Sequence, residues 1–211
     1  MKFYIIGNGG LAKEVLFLCK EVYGTIENFA GFIDYKPEND NVICMCEVYP
    51  VIDEDEFLLT RNYECNIFLG VGDPKKILNI VNKFNGYKFP NLIHPNVVMD
   101  ESVNLGFGNI ITAGCILTVD IVLGNYNIVN LNTTIGHDTK ILNGNIFNPG
   151  SNISGSVFIG SSNLFGTNCT VLQGLTIGSN SIIGASSLVN RNVDDNIVVV
   201  GLPAKKIKLN E

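Results

Sequence analysis

The chain has 211 residues, of which 46% are hydrophobic and 16% charged, a composition that permits a large core and excludes intrinsic disorder. Lys and Arg number 14 against 20 Asp and Glu, giving a net charge of -6, which excludes the basic surface that nucleic acids and anionic membranes attract. No apolar run approaches the ~20 residues of a membrane-spanning helix, and we find no signal-peptide pattern. We therefore expect a cytoplasmic globular protein of one large or two small domains that binds neither nucleic acid nor membrane.

Residues 1–90 alternate predicted strands and helices. The apolar run 2–6 predicts a strand, the glycine-rich residues that follow it a turn, and the spacing of apolar residues over 11–22 a helix. Further along, the pattern predicts a strand over 29–33, a helix over 53–60, a strand over 66–71 and a helix over 73–84. Four βα-type units in about 90 residues predict a small Rossmann-like parallel sheet, with ligands at the carboxyl ends of its strands.

A six-residue repeat occupies the rest of the chain. In steps of six from Met99 to Val189, every position is apolar. Two residues before these positions stand mostly small or β-branched side chains, such as Cys115, Thr133 and Ser151. A chain that bends every six residues can close a triangular coil of about 18 residues, with the large aliphatic side chains inside. The repeat therefore predicts a stack of coils, a parallel β-helix, over residues 91–211.

Two short motifs accompany this pattern. Ile135-Gly136-His137-Asp138 lies within the repeats, and Val200-Gly201-Leu202-Pro203-Ala204-Lys205 follows them. Together with the glycine-rich βα segment, they resemble the NeuD/PglD family of bacterial sugar acetyltransferases over essentially the whole chain. The resemblance implies a sugar-nucleotide-binding domain in residues 1–90, and a left-handed β-helix ending in a coenzyme A-binding segment in residues 91–211. It also implies a homotrimer that binds acetyl-CoA between adjacent prisms.

The chemistry of acetyl transfer directs attention to His137. An attacking amine or hydroxyl must lose a proton, which a histidine of ordinary pKa ~6.5 accepts near neutral pH. The chain has two histidines, and His94, at the start of the repeats, is expected to cap the first coil. The resemblance implies that His137 is the general base and that the acidic Asp138 orients it. Asp120, 18 residues before Asp138, is the other acidic residue expected nearby.

The side facing the acetyl donor departs from the family pattern. Many relatives carry a second histidine at the cofactor-side position that Ile146 occupies here. The donor contact must then come from another group, and the backbone N–H of Gly155 is the candidate, as an oxyanion-type donor to the thioester oxygen.

The carboxyl-terminal motif resembles the segment that closes over coenzyme A in hexapeptide acyltransferases. Pro203 is expected to pack on the adenine, and Lys205 or Lys206 to meet the phosphates. Ala185 is a further candidate because its small side chain leaves room along the prism. The alternative is that these lysines form a solvated tail.

The glycine-rich turn fits the dinucleotide fingerprint G-x-G-x-x-A over residues 7–12. About 90 residues hold only half of a dinucleotide domain and the prism offers no hydride-transfer partner, so a mononucleotide is favoured over NAD. We expect the diphosphate of a sugar nucleotide at this turn and the base or ribose at the end of the second strand. The alternative is that the glycines serve a tight turn alone. The expected lining comprises Gly7, Asn8, Gly9, Gly10, Asp34, Tyr35 and Gly72.

These observations favour an acetyl-CoA-dependent N-acetyltransferase. Its expected acceptor is the amine of a UDP-, dTDP- or GDP-linked 4-amino-4,6-dideoxy sugar in glycan or surface-polysaccharide biosynthesis. The alternatives are a sialic acid O-acetyltransferase and a non-catalytic trimeric scaffold that binds sugar nucleotides. Hexapeptide carbonic anhydrases are excluded because they need three histidine ligands for zinc. The six cysteines lack zinc-ligand spacing and are expected to be buried hydrophobic residues, so no metal is expected.

Overall fold

The computed structural model describes residues 1–210, so that Glu211, the last residue of the predicted 91–211 segment, lies outside the described residues. Its first part is a five-stranded sheet in the order β3-β4-β2-β1-β5, in which β3 is antiparallel to β4 and the other pairs are parallel. The elements are β1 (Phe3–Ile6), α1 (Gly10–Tyr23), β2 (Phe29–Asp34), β3 (Asn41–Cys44), β4 (Glu47–Asp53), α2 (Glu54–Leu59), β5 (Asn66–Leu69) and α3 (Pro74–Lys83).

Short polar side chains fix the starts of α2 and α3. The Asp53 carboxylate accepts hydrogen bonds from the backbone N–H groups of Asp55 and Glu56, and Asp73 accepts one from Lys75. Each cap satisfies donors that the first turn of a helix leaves unpaired. Both helices therefore begin immediately after their caps, at the edge of the sheet where the parallel strands end.

The β3–β4 hairpin was not predicted, and the expectation of four βα-type units is wrong. The chain passes from β2 through β3 to β4 without a helix, leaving three strand–helix units. In the hairpin turn, Met45 and Cys46 have positive φ angles of 48° and 66°. Turns with two positive φ angles are usually predicted from Asn-Gly or Asp-Gly sequences. Neither residue gives that signal, so the hairpin is not visible in the sequence pattern.

The second part is a three-sided parallel β-helix, as predicted. From Leu92 to Val189, strands pair in parallel with strands 18 residues away, and Ile197–Val200 pairs with Ile182–Ile183 at a spacing of 16. This stacking is consistent with the left-handed coil that the resemblance implies. Face one contains Val98–Met99, Ile116–Leu117, Thr134–Ile135, Asn152–Ile153, Thr170–Val171 and Leu188–Val189. Face two contains Asn104–Leu105, Val122–Leu123, Lys140–Ile141, Phe158–Ile159 and Thr176–Ile177. Face three contains Leu92–Ile93, Ile110–Ile111, Ile128–Val129, Ile146–Phe147, Leu164–Phe165, Ile182–Ile183 and Ile197–Val200, and Lys205–Leu209 pairs antiparallel with its last strand.

The aliphatic residues of the repeat fill the interior of the prism. From Ile111 to Val189 they are buried, and the rings of Phe147 and Phe165 stack at 4.5 Å between centroids. The small residues two positions earlier, among them Cys115, are buried as well. Met99 is an exception to the predicted burial because it lies in the first coil, where no preceding coil covers it, and is 37% exposed.

Five of the six cysteines are buried, but Cys46 is exposed in the hairpin turn, contrary to expectation. Burial raises the pKa of the Cys19 thiol to about 12 and that of Cys169 to about 11. These two thiols stay protonated near neutral pH, which suits the role of small apolar residues.

The two parts share an apolar contact. The outward-facing residues Ile110, Ile128 and Ile146 of face three belong to the same buried cluster as the core of the α/β sheet. Apolar burial of this kind contributes about 1.5–3 kcal/mol for each large side chain. The α/β sheet is thereby joined to face three of the prism through buried apolar side chains.

A ladder of asparagines runs up one corner of the prism, between faces two and three. The backbone N–H of Asn127 donates to Asn109 Oδ1 at 2.9 Å, and that of Asn145 donates to Asn127 Oδ1 at 2.9 Å. Asn163 repeats the contact one coil further on. All four side chains are fully buried, so the ladder satisfies backbone donors that water cannot reach.

Replacement of Asn127 by Ala should destabilise the protein strongly. The change leaves the buried N–H of Asn145 without its acceptor and Leu142 O without its donor, and each unpaired buried group costs about 1–3 kcal/mol. Thermal unfolding followed by circular dichroism should give a clearly lower midpoint for Asn127→Ala than for Asn82→Ala, an exposed helical control. Equal midpoints for the two variants would contradict this role of the ladder.

Candidate active site

His137 lies in the turn between faces one and two. Its Nδ1 is 2.7 Å from Asp138 Oδ2, and the two side chains are 49% and 61% exposed. An exposed pair of this kind adds little stability, but it orients the ring. A carboxylate at Nδ1 favours the tautomer with the proton on that nitrogen, which leaves Nε2 as an acceptor. Asp138, and not Asp120, is therefore the acidic residue that contacts the imidazole.

Gly155 lies directly against the His137 ring, one coil further along. A Cβ atom at residue 155 would come within 2.6 Å of His137 Cε1 and 2.7 Å of Cδ2, and would also overlap Nε2. The next residue, Ser156, donates its backbone N–H to His137 O at 2.6 Å. The position of the imidazole thus depends on the absence of a side chain at Gly155.

The backbone N–H of Gly155 is unpaired among the described residues. Gly155 is buried and its carbonyl accepts from Gly174 N, but its own N–H has no hydrogen-bond partner among residues 1–210. Buried backbone donors are rarely left unpaired in folded proteins. The first corner, defined here as His137, Asp138 and Gly155, therefore offers one acceptor and one donor to a ligand.

Ile146 does not contribute to this corner. It lies on face three, 2% exposed, within the apolar cluster shared with the α/β sheet. Ile146 was expected on the cofactor side because it occupies the position of the second histidine of many relatives. In this chain its side chain is buried and leaves no surface for a ligand. The second histidine of the family pattern is therefore absent both from the first corner and from position 146.

His94 is half-buried where the chain enters the prism. Its backbone N–H donates to Ile111 O at 2.9 Å, and its Nδ1 accepts from the backbone N–H of Asn96 at 3.0 Å. Both contacts connect the entering chain to the first coils. They are compatible with the structural role expected of this residue.

A cavity of about 590 Å³ opens at the carboxyl ends of β1, β2 and β5. It brings together five of the seven residues expected to bind the nucleotide, namely Gly7, Asn8, Gly9, Asp34 and Tyr35. Gly10 and Gly72 are not in its lining. At Gly7, φ is 97° and a Cβ would lie 2.7 Å from Gly70 O, so only glycine fits where the two strand ends meet.

The cavity also contains charged residues that the sequence analysis missed. Glu54 is 4% exposed and its Oε1 accepts a hydrogen bond from Lys83 Nζ at 2.6 Å. This hydrogen bond is the main cause that raises the pKa of Lys83. The packing of Phe57 on Phe84 brings α2 and α3 together, and no local motif relates residues so far apart in the chain. Lys76 and Asn79 of α3 complete this side of the lining.

A second cavity, of about 330 Å³, lies at the carboxyl-terminal end of the prism. Pro203, Lys205 and Lys206, the residues expected to contact coenzyme A, line it together with Arg191, which the sequence analysis did not name. The segment is held by the Ala204 N–H, which donates to Leu188 O at 2.8 Å. The backbone of the segment is therefore fixed on the prism, while the side chains of Lys205 and Lys206 are exposed. Ala185 is exposed at the corner between faces three and one, outside this lining.

Comparisons with known proteins agree with this architecture. The family model of the PglD N-terminal domain matches residues 2–84. The structure of PerB from Caulobacter crescentus, in complex with CoA and GDP-perosamine, is 30% identical with a TM-score of 0.85, covering 99% of this chain and 98% of that chain. The acetyltransferase domain of PglB from Neisseria gonorrhoeae, in complex with acetyl coenzyme A, is 27% identical with a TM-score of 0.86 and 98% coverage of both chains.

A variant of perosamine N-acetyltransferase from Caulobacter crescentus, solved with CoA and GDP-perosamine, is 29% identical, with a TM-score of 0.86 over 99% of this chain and 97% of that chain. A search of curated protein sequences gave no match. Within residues 1–210 no helix is long and apolar enough to cross a membrane, and no group of His, Cys, Asp or Glu side chains is arranged to hold a metal ion.

A hexapeptide-repeat prism joined to a small α/β domain that matches the PglD N-terminal domain defines an acyltransferase of the β-helix class. Within that class, the chain belongs to the NeuD/PglD family of bacterial sugar acetyltransferases. The family expected from the sequence is thus confirmed. Its enzyme class is acetyl-CoA-dependent acyltransferase.

Replacement of Gly155 by Ala should displace the His137 ring while leaving the fold intact. The added methyl group occupies the space of the imidazole, so the ring must turn away. Because the chain has two histidines, an NMR spectrum of their Cε1–H groups reports both. The His137 signal should shift in Gly155→Ala, and the His94 signal serves as the internal control. Two unchanged signals would contradict the placement of the ring over Gly155.

Proposed function

We propose that this enzyme transfers the acetyl group of acetyl-CoA to the amine of a nucleotide-linked amino-dideoxy sugar. The observation that carries the proposal is the first corner, where the His137 ring, oriented by Asp138, lies against Gly155. The nucleotide-binding cavity supports a nucleotide-linked acceptor, and the neighbouring structures that hold both CoA and GDP-perosamine support the same pair of substrates. The product serves glycan or surface-polysaccharide biosynthesis.

His137 acts as the general base in this proposal. Its Nε2 removes a proton from the attacking amine as the nitrogen forms a bond to the thioester carbon. The C–S bond then breaks, and the coenzyme A sulfur leaves with a proton returned from the imidazolium. Asp138 holds the ring through Nδ1 and stabilises the positive charge that forms on it. A positioned base of this kind contributes about 10²–10⁴-fold to the rate.

The Gly155 N–H supplies the oxyanion contact. As the amine attacks, the thioester oxygen gains negative charge, and a fixed donor at that point lowers the barrier. Because Ile146 is buried in the core, a side chain at that position cannot provide the contact within this chain. The backbone donor therefore takes the place of the missing second histidine.

The carboxyl-terminal cavity binds the nucleotide part of the donor. Pro203 packs on the adenine, while Lys205, Lys206 and Arg191 provide three positive charges for the phosphates. Ammonium and guanidinium groups form strong charge-assisted hydrogen bonds with phosphate oxygens. Ala185, at the corner between faces three and one, leaves room for a donor that lies against the prism of a neighbouring subunit.

We further propose a homotrimer with active sites between subunits. Faces one and two carry exposed apolar side chains, including Val98, Ile116, Val122 and Phe158, each at least 41% exposed. Exposed apolar patches of this kind are typical of surfaces that bind another protein chain. Packing of prisms along these faces places a neighbouring subunit beside the first corner.

Replacement of His137 by Ala should lower acetyl transfer by about 10²–10⁴-fold, because the base is lost. The assay is thiol release from acetyl-CoA with UDP-, dTDP- and GDP-linked 4-amino-4,6-dideoxy sugars and with free sialic acid. His94→Ala, the other histidine of the chain, should keep its activity. Turnover with sialic acid alone would select the O-acetyltransferase, and full activity of His137→Ala would contradict the base assignment.

Replacement of Lys205 by Ala should raise the KM for acetyl-CoA by about tenfold, since one charged contact to phosphate is worth roughly 1.4 kcal/mol. The KM for the acceptor and kcat should change little. Lys208→Ala is the matched control because Lys208 lies on the same strand outside the cavity. An equal effect of the two variants would indicate a general charge effect and contradict a donor site here.

A further inference from the structure

Glu54 is a buried carboxylate whose hydrogen bonds are incomplete. It lines the nucleotide-binding cavity with 4% of its surface exposed. Lys83 satisfies Oε1, and the second oxygen, Oε2, has no hydrogen-bond partner among residues 1–210. Among the described residues, Tyr87 Oη is the fully enclosed side-chain polar atom without a partner, so Glu54 Oε2 is open to the cavity rather than sealed in the core. The cavity therefore provides an acceptor that a bound ligand can satisfy.

Glu54 and Lys83 together present an ordered set of hydrogen-bonding groups. Lys83 Nζ uses one proton on Oε1 and has two more, and its side chain is 53% exposed. Along the pair, the order is donor at Nζ, acceptor at Oε1 and acceptor at Oε2. A ligand edge that reads acceptor, donor, donor satisfies all three groups.

We propose that this pair reads the base of the acceptor nucleotide and that the base is guanine. The inference rests on the proposed function in placing a sugar nucleotide in this cavity. The guanine edge offers O6 as an acceptor, followed by N1–H and the N2 amino group as donors, in the required order. Uracil and thymine offer acceptor, donor, acceptor, so a carbonyl oxygen faces Oε2. Cytosine offers donor, acceptor, acceptor, the same order as the protein groups, so donors would face donors and acceptors would face acceptors.

Tyr35 provides the aromatic surface beside this edge. It lines the same cavity, is 52% exposed, and has Lys83 Nζ at 5.1 Å from the ring centroid. Base stacking on an aromatic ring is favourable for every base. Lys36 Nζ also lies 5.1 Å from the centroid of this ring, so a stacked base displaces one of the two ammonium groups from the Tyr35 face. In this arrangement Tyr35 supports the base, while Glu54 and Lys83 select among bases.

Binding of nucleoside diphosphates measured by calorimetry tests the inference without acetyl-CoA or turnover. The probes are GDP, UDP, dTDP and inosine 5′-diphosphate, which lacks the 2-amino group of GDP. Wild-type protein should bind GDP most tightly and inosine diphosphate about tenfold more weakly, because Oε2 loses its donor. In Glu54→Gln, GDP binding should weaken about tenfold and the two purine nucleotides should become similar. Glu56→Gln, an exposed neighbour on α2, should bind like the wild type.

Several results would overturn the inference. They are binding of UDP or dTDP as tight as that of GDP, equal binding of GDP and inosine diphosphate by the wild type, and unchanged selectivity in Glu54→Gln. The wild-type comparisons remain decisive if Glu54→Gln does not fold. Preference for GDP without acetyl transfer to any amino sugar would refute the proposed function alone, and acetyl transfer with preference for UDP would refute guanine alone.

Discussion

Backbone hydrogen bonds between successive 18-residue coils determine where every side chain of the prism lies. Because the Ser156 N–H donates to His137 O and the Gly174 N–H to Gly155 O, residues one coil apart are stacked at fixed separation. The His137 ring rests on Gly155 for this reason, and the asparagine ladder follows the same period. One shift of register would move apolar side chains out of the core and separate the two groups of the first corner.

The prism and the sheet differ in the polar side chains that they present. The first corner holds two titratable side chains, His137 and Asp138, whose contact at 2.7 Å orients the imidazole. The sheet edge, in contrast, collects Asp34, Glu54 and Lys83 around one cavity. The apolar contact through Ile110 and Ile128 joins the two parts. In the proposed function, the sheet binds the nucleotide of the acceptor and the prism carries the base that acts on its amine.

Much of the fold was predictable because its signals are local. The six-residue period defines the prism directly, and the glycine-rich turn and Asp34-Tyr35 follow strands whose carboxyl ends must meet. The features that the sequence did not predict depend mainly on contacts between distant segments of the chain. Glu54 and Lys83 meet only because α2 packs on α3. The β3–β4 hairpin uses positive φ at Met45 and Cys46, and burial of Ile146 follows from domain packing.

A crystal structure with coenzyme A and a nucleotide-linked amino sugar would test the central claim most directly. We predict the sugar amine within about 2.6–3.2 Å of His137 Nε2, with the donor thiol beside the Gly155 N–H and the prism of a second subunit completing the site. Coenzyme A bound away from the first corner, or an acceptor amine beyond the reach of His137, would contradict it.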